Sequence, residues 1–416
     1  MKKFLCITLV LLLIGSVLPV SALSPDPVWN GRMATSFDGG SGTADDPYRI
    51  ANGAQLAYLS ALVSGGDRCV GLFFELTADV YLNDVSHVSS WATTAPANVF
   101  PAIGGEKNIP FGGHVNGNGH AIYGLYQSGS ALGKGLFFNL AGTVRELALK
   151  KMYVASSASD FATGGIAAFT SAGAVIEECM VEGTFYAGGT LGGLAGIVSG
   201  GAVIRNCYAN VSLMSGRTAG GLAGENNGSL SKSYMNGLVY TIDGSVRAGA
   251  PLAAVGSGSI SECYYIDSWE KKEVWTPPFM SDGPQLREEA SYNSAASLSA
   301  GGLALTAEQM KTAESFVGFD FEAVWTMEGE TSYRYPQLIC HQPLKGDANL
   351  DDELNVLDLL QIKVYEKEQT ALTGRVSSAL NYGVGKGLAD ALNAVMAVIL
   401  GENYGEVWTP PFMSER

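Results

Sequence analysis

Three short stretches decide how this chain is read: Gly164-Gly165-Ile166-Ala167, Gly192-Gly193-Leu194-Ala195 and Gly220-Gly221-Leu222-Ala223, each opening 28 residues after the last. A second block keeps step with them: Ala174-Val175-Ile176-Glu177-Glu178-Cys179, Ala202-Val203-Ile204-Arg205-Asn206-Cys207, Ser229-Leu230-Ser231-Lys232-Ser233-Tyr234 and Ser259-Ile260-Ser261-Glu262-Cys263-Tyr264. Gly142-Thr143-Val144-Arg145-Glu146-Leu147 reads as an earlier, weaker copy. Each unit holds two or three β-branched or aliphatic runs separated by glycine turns. A unit this short cannot bury its own apolar face, but stacked units join those faces into one core. Small variations in the step suit a coil whose turns absorb insertions while its strands stay in register. The pattern predicts a mostly β chain built as a right-handed parallel β-helix, with coils about 4.8 Å apart. Ile176, Ile204, Leu230 and Ile260 would form one inward row, with Cys179 stacked on Cys207. A propeller blade needs about 40 residues, which the step contradicts.

Composition agrees with a packed repetitive fold. Hydrophobic residues make up 47% and glycine contributes 53 positions without a collagen-like period, so glycine marks turns or close backbone approach. A formal charge of −15 disfavours nucleic acid and anionic membrane and leaves carboxylates available for cations. Lys2 and Lys3, the apolar run Phe4 to Ile14 and the small residues Val20-Ser21-Ala22 read as an export signal over residues 1–22. That run is shorter than the roughly 20 residues of a membrane span. The mature chain is therefore expected to be secreted or cell-surface associated, with no membrane insertion. Five cysteines remain beyond the signal, an odd number, and three lie on the repeat ladder. Core thiols are the expectation rather than a disulfide scaffold.

The Gly-Gly-Leu-Ala-Gly pattern resembles the GLUG repeat of secreted surface proteins. Flanking stretches extend the likeness over about Trp29 to Leu338: Gly42-Thr43-Ala44-Asp45-Asp46-Pro47-Tyr48-Arg49-Ile50, then Leu76-Thr77-Ala78-Asp79-Val80-Tyr81-Leu82 and Val115-Asn116-Gly117-Asn118-Gly119-His120. Between the first two, Leu56, Leu59, Leu62 and Val63 share a helical face that Gly65-Gly66 ends, a small helical cap for the stack. At the far side Thr306-x-x-Gln309 gives a capping box, and Gly318-Phe319-Asp320-Phe321-Glu322-Ala323-Val324-Trp325 is similar to the family's closing segment. The resemblance implies adhesion or surface attachment, with polysaccharide as one ligand, and no chemistry.

The strongest chemical signal lies at Asp347-Ala348-Asn349-Leu350-Asp351-Asp352-Glu353-Leu354-Asn355-Val356-Leu357-Asp358. Counting Asp347 as position 1, oxygen side chains fall at 1, 3, 5, 9 and 12 (Asp347, Asn349, Asp351, Asn355, Asp358), and Glu353 at 7 can give its carbonyl. This is the EF-hand schedule for Ca²⁺; an acidic surface loop holding no ion is the bland alternative. Asp352 stands where the tight turn prefers glycine. With the apolar helix that follows, the loop resembles a dockerin type I module, which implies a small all-α EF-hand-like domain and a cohesin-bearing scaffold or cell-surface protein as partner. The resemblance puts that contact on Val356, Leu357 and Leu360. A second loop at Asn381, 34 residues after Asp347, lacks the carboxylates, so one metal site is expected.

The expected organisation is a signal peptide at 1–22, a β-helix domain at 23–343, a dockerin-like domain at 344–403 and a tail at 404–416. The runner-up to adhesion is a polysaccharide lyase or glycoside hydrolase of a cellulosome-like complex. Glu177, Glu178, Glu182, Glu225, Arg205 and Arg217 are the coil residues that could serve it, and the repeat spacing is expected to keep them out of stacked register. No catalytic residue is assigned. Glu273-Val274-Trp275-Thr276-Pro277-Pro278-Phe279-Met280-Ser281 recurs identically from Glu406 to Ser414; docking aromatics and a recognition tag are equally open readings.

Overall fold

A computed structural model describes residues 28–105, 109–130, 133–157, 161–241, 249–267, 271–275, 286–290, 302–327, 335–342, 348, 356–368, 379–380 and 387–400. The predicted signal, the second loop at Asn381 and the tail from 404 lie outside them. Two compact units are present: one holds Pro27–Met327 and Arg334–His341, and the other includes the C-terminal helices.

The repeat blocks become strands of a parallel β-solenoid. Ile176 pairs in parallel register with Ile204, Ile204 with Leu230, and Leu230 with Ile260. The row continues back through Val144, Val115 and Phe74 to Tyr48. Eight strands, from Tyr48–Ile50 to Ser259–Ser261, thus form one parallel sheet. Ile176, Ile204 and Leu230 are fully buried, while Ile260 in the last strand is partly buried. A nine-stranded sheet that includes Met180–Ala187 and Tyr208–Ser215, a five-stranded sheet that includes Ala195–Val198, and a four-stranded sheet that includes Thr190–Gly192 complete the coil. Parallel pairing between successive coils rules out propeller blades.

Distance, rather than dihedral freedom, explains the double glycines. A Cβ on Gly193 would lie 2.1 Å from the Gly221 carbonyl oxygen of the next coil, and one on Gly192 would lie 1.9 Å from Ala195 O. Any larger residue would push neighbouring backbone apart and break the ladder in which Leu194 N–H donates to Leu222 O at 2.8 Å. Ile166, Leu194 and Leu222, just after the glycine pairs, are fully buried and fill the core.

The corner between the eight- and nine-stranded sheets is a feature with no plain mark in the sequence. Glu146, Glu178, Asn206, Lys232 and Glu262 occupy it, one per coil, with φ of 52°, 50°, 52°, 47° and 51°. This left-handed region is uncommon for residues with a side chain. It is held by stacking: the N–H of Glu178 donates to Arg205 O, and that of Asn206 to Ser231 O, in the next coil. Cys179, Cys207 and Cys263 follow this corner and are buried thiols, as expected. Cys179 N–H donates to Cys207 Sγ at 3.4 Å and Cys207 N–H to Ser233 Oγ at 3.0 Å, so serine replaces sulfur in the third coil.

Helix α1 (Gly53–Gly65) buries Leu56, Leu59 and Val63 against the first coils. Asn52 caps it by accepting from Ala54 and Gln55 N–H, and Gly66 at φ 114° ends it. Leu62 is only partly buried. Thr306 and Gln309 bond reciprocally as a capping box, at 2.9 and 3.2 Å, but on a 3₁₀ turn, Gln309–Lys311, rather than an α-helix. The chain then runs along the outside of the nine-stranded sheet. There Phe316, Phe319 and Trp325 pack on the tyrosine column Tyr208, Tyr234 and Tyr264. Trp325 is fully buried, and Tyr234 and Tyr208 stack at 5.1 Å.

In the other unit, α2 (Val356–Glu368) and α3 (Leu388–Leu400) share a small core of Ala348, Ile362, Ala379, Leu380, Ala391 and Val395. Among the described residues no helix is long and apolar enough to cross a membrane.

Candidate functional site

The solenoid carries its polar chemistry on outward columns, because alternate residues of each strand point out and the coils stack them. On the eight-stranded sheet one column reads Arg49, Glu75, Asn116, Arg145, Glu177, Arg205. The expectation that the coil charges stay out of register is therefore corrected: Glu177 pairs directly with Arg205 and, on its other side, with Arg145. The step of exactly one coil between the two blocks, 28 residues, is what aligns them. Arg205 Nε lies 2.5 Å from Glu177 Oε1, Arg49 Nε 3.6 Å from Glu75 Oε1, and Arg145 Nε 3.8 Å from Glu146 Oε1. Exposed pairs of this kind contribute about 0–1 kcal/mol each. They tune neighbours more than they hold the fold.

Glu178 sits beside this column at the left-handed corner. Burial pushes its carboxyl above the ordinary value, and Glu146 and Glu177 add to the shift against the pull of Arg145 and Arg205. Cys340, from the returning chain, lies over the same corner, with Sγ 3.9 Å from Glu178 O; burial, Glu178 and Glu146 push its thiol up. Glu182 instead bonds Lys151 Nζ at 2.7 Å, and Glu225, on the five-stranded sheet, accepts from Asn227 at 2.7 Å. His120 is buried with Nδ1 3.5 Å from Asp79 Oδ1, while His114 stacks on Phe73. A cleft of about 510 Å³ beside α1 is lined by residues such as Trp29, Met33, Ala57 and Val99 and has no titratable side chain in its wall.

Of the expected calcium ligands, Asp347, Asn349, Asp351, Glu353 and Asn355 lie outside the described residues. Asp358 is described. It is fully buried in the first turn of α2, and its Oδ1 accepts from Ala348 N–H at 2.8 Å. Tyr365 OH donates to Ala348 O at 3.3 Å. Position 12 of the loop therefore touches position 2, which draws the two ends together. Val356 and Leu357 begin α2, and Leu360 on the same helix is partly buried. Among the described residues no group of three or more His, Cys, Asp or Glu is arranged to hold a metal.

No protein-family model matches the chain, and no curated protein does. Among solved structures the chain is similar to a crystal structure from Bacteroides ovatus of a protein proposed to be an immunoglobulin A1 protease, at 20% identity over 73% of this chain and 95% of that one, with a TM-score of 0.48.

Proposed function

We propose that this is an exported, non-catalytic surface protein of adhesin type. Its solenoid, a right-handed β-helix like that of GLUG proteins, binds polysaccharide or another surface, and a C-terminal dockerin displays it on a cohesin-bearing partner. The observation that carries the display half is the contact between Asp358 and Ala348 N–H, which brings together the ends of a loop whose donors are all oxygen. Hard oxygens in that number suit Ca²⁺. When bound, the ion would supply the positive charge that lets several carboxylates share one loop. Asp347, Asn349, Asp351, Asn355 and Asp358, with the Glu353 carbonyl, would hold it. Metal binding and folding are then linked. The test is retention of the full chain on immobilised type I cohesins: binding in Ca²⁺ and release by EDTA are expected. Retention indifferent to EDTA, or none on any cohesin, would refute the display half.

Adhesion is favoured over catalysis because most outward acids of the solenoid are already engaged by a basic or amide neighbour. One observation favours the second reading, a polysaccharide-acting enzyme: the raised carboxyl of Glu178 beside Glu146, Glu177 and Arg205, since a general acid needs a raised pKa. Sugar release from polysaccharide by the wild type that Glu178→Gln abolishes would decide for the enzyme.

A further inference from the structure

The outer face of the nine-stranded sheet carries a different surface from the ion-paired column. Glu182 pairs with Asn210, and Thr184 with Ser212, in adjacent coils. The four alternate along their strands with the inward residues Val181, Phe185, Val211 and Leu213, and all four are partly exposed. Thr184, Asn210 and Ser212 make no side-chain hydrogen bond to any described residue. On the five-stranded sheet, by contrast, the outward Glu225 is engaged by the protein itself, accepting from Asn227 Nδ2 at 2.7 Å. The strip also has borders. On one side Tyr208 and Tyr234 lie under Trp325; on the other Tyr186 and Met214 belong to a small buried cluster around Trp91. Towards the N-terminal coils the register shifts at Glu182, which faces both Lys150 and Lys151. Beyond that bulge Lys150 pairs with Tyr123 and Tyr123 with Tyr81, half-buried rings stacked at 4.6 Å and 4°.

We infer that this strip, Glu182, Thr184, Asn210 and Ser212 with the Tyr81–Tyr123 stack at its end, binds an uncharged polysaccharide laid along the solenoid axis. Hydroxyls of a sugar chain match unspent amide and hydroxyl groups, and its apolar ring faces match an aromatic platform. The coil rise of about 4.8 Å is close to the length of one sugar in an extended chain, so successive coils meet successive sugars. The chain's formal charge of −15 disfavours acidic polymers, and Glu182, the carboxylate of the strip, is already paired with Lys151. The inference rests on the surface-binding reading of the solenoid and is independent of the calcium module.

Native affinity electrophoresis of the full chain tests it, with hydroxyethylcellulose, xylan or mannan as neutral polymers and polygalacturonate as the acidic one. Retardation by at least one neutral polymer is expected. Asn210→Ala with Ser212→Ala should weaken it about tenfold, and Tyr123→Ala should weaken it as well. Glu225→Ala, on the five-stranded sheet, should leave it unchanged, and circular dichroism should show all variants folded. Retardation that survives the double substitution would overturn the strip while leaving surface binding intact, as would retardation by polygalacturonate alone. No retardation by any polymer would overturn polysaccharide binding itself.

Discussion

Replacing Ile204 by alanine removes three carbons from the middle of the inward row, between Ile176 and Leu230. At about 0.8 kcal/mol per buried methylene the transfer loss is about 2.4 kcal/mol. Backbone ladders fix the spacing of the coils above and below, so the space cannot close fully, and the whole cost should be about 3–4 kcal/mol. Val203 is the internal control: it is one residue earlier, points outward and is only partly buried, so Val203→Ala should cost about 1 kcal/mol or less. Ile260→Ala, in the partly buried last strand, should fall between the two. Urea unfolding followed by far-ultraviolet circular dichroism reads the differences as midpoint shifts at constant slope. A Val203→Ala cost equal to that of Ile204→Ala would refute the assignment of faces. Equal costs at 204 and 260 would refute the graded burial along the row. Ile204→Asp would bury an unpaired charge there and should abolish soluble expression.

On chelation, heat denaturation should show two transitions of which only the smaller moves. Unchanged melting of both in EDTA would remove the metal assignment. Asp358→Ala takes away the partner of Ala348 N–H and should destabilise the helical unit by about 1–3 kcal/mol, whereas Asn381→Ala should matter little; equal losses would contradict a single metal site. Burial pushes the Cys69 and Cys263 thiols up to about 12, so a thiol reagent at pH 8 should label the native chain slowly and the unfolded chain fully. Rapid native labelling of Cys263 would place it outside the core. Glu178 has a raised folded pKa, so its contribution is fully present below the ordinary carboxylate pKa and is lost as pH rises through the raised value. Glu178→Gln should therefore match the wild type near pH 3 and be the more stable at pH 7, by less than about 1 kcal/mol after solvent screening. A variant less stable at pH 7 would reverse the sign of the shift.

Much of the solenoid was legible because its determinants are periodic. Ile176, Ile204, Leu230 and Ile260 recur at the coil length, and the glycine pairs recur where the backbones of successive coils approach. The cap helix and the Thr306–Gln309 box were legible for a different reason: both are local, set by residues three or four apart. The charge column was missed although its members were in view, because Glu177 and Arg205 meet only when the 28-residue step is applied to the outward positions as well as the inward ones. The left-handed corner was missed because Glu and Lys carry no preference for positive φ; stacking imposes it. The strap of Phe316 and Trp325 on Tyr208 and Tyr234 joins residues some hundred positions apart in sequence, and no local pattern records such a contact. In the C-terminal unit the oxygen spacing marks a loop, and Asp358 supplies the only expected ligand whose side chain is described.

The display claim is tested most directly by calorimetric titration of Ca²⁺ into the metal-free full chain. One ion per chain is expected, with binding lost in Asp347→Ala and kept in Asn381→Ala. No heat of binding, or two ions of which one depends on Asn381, would contradict it.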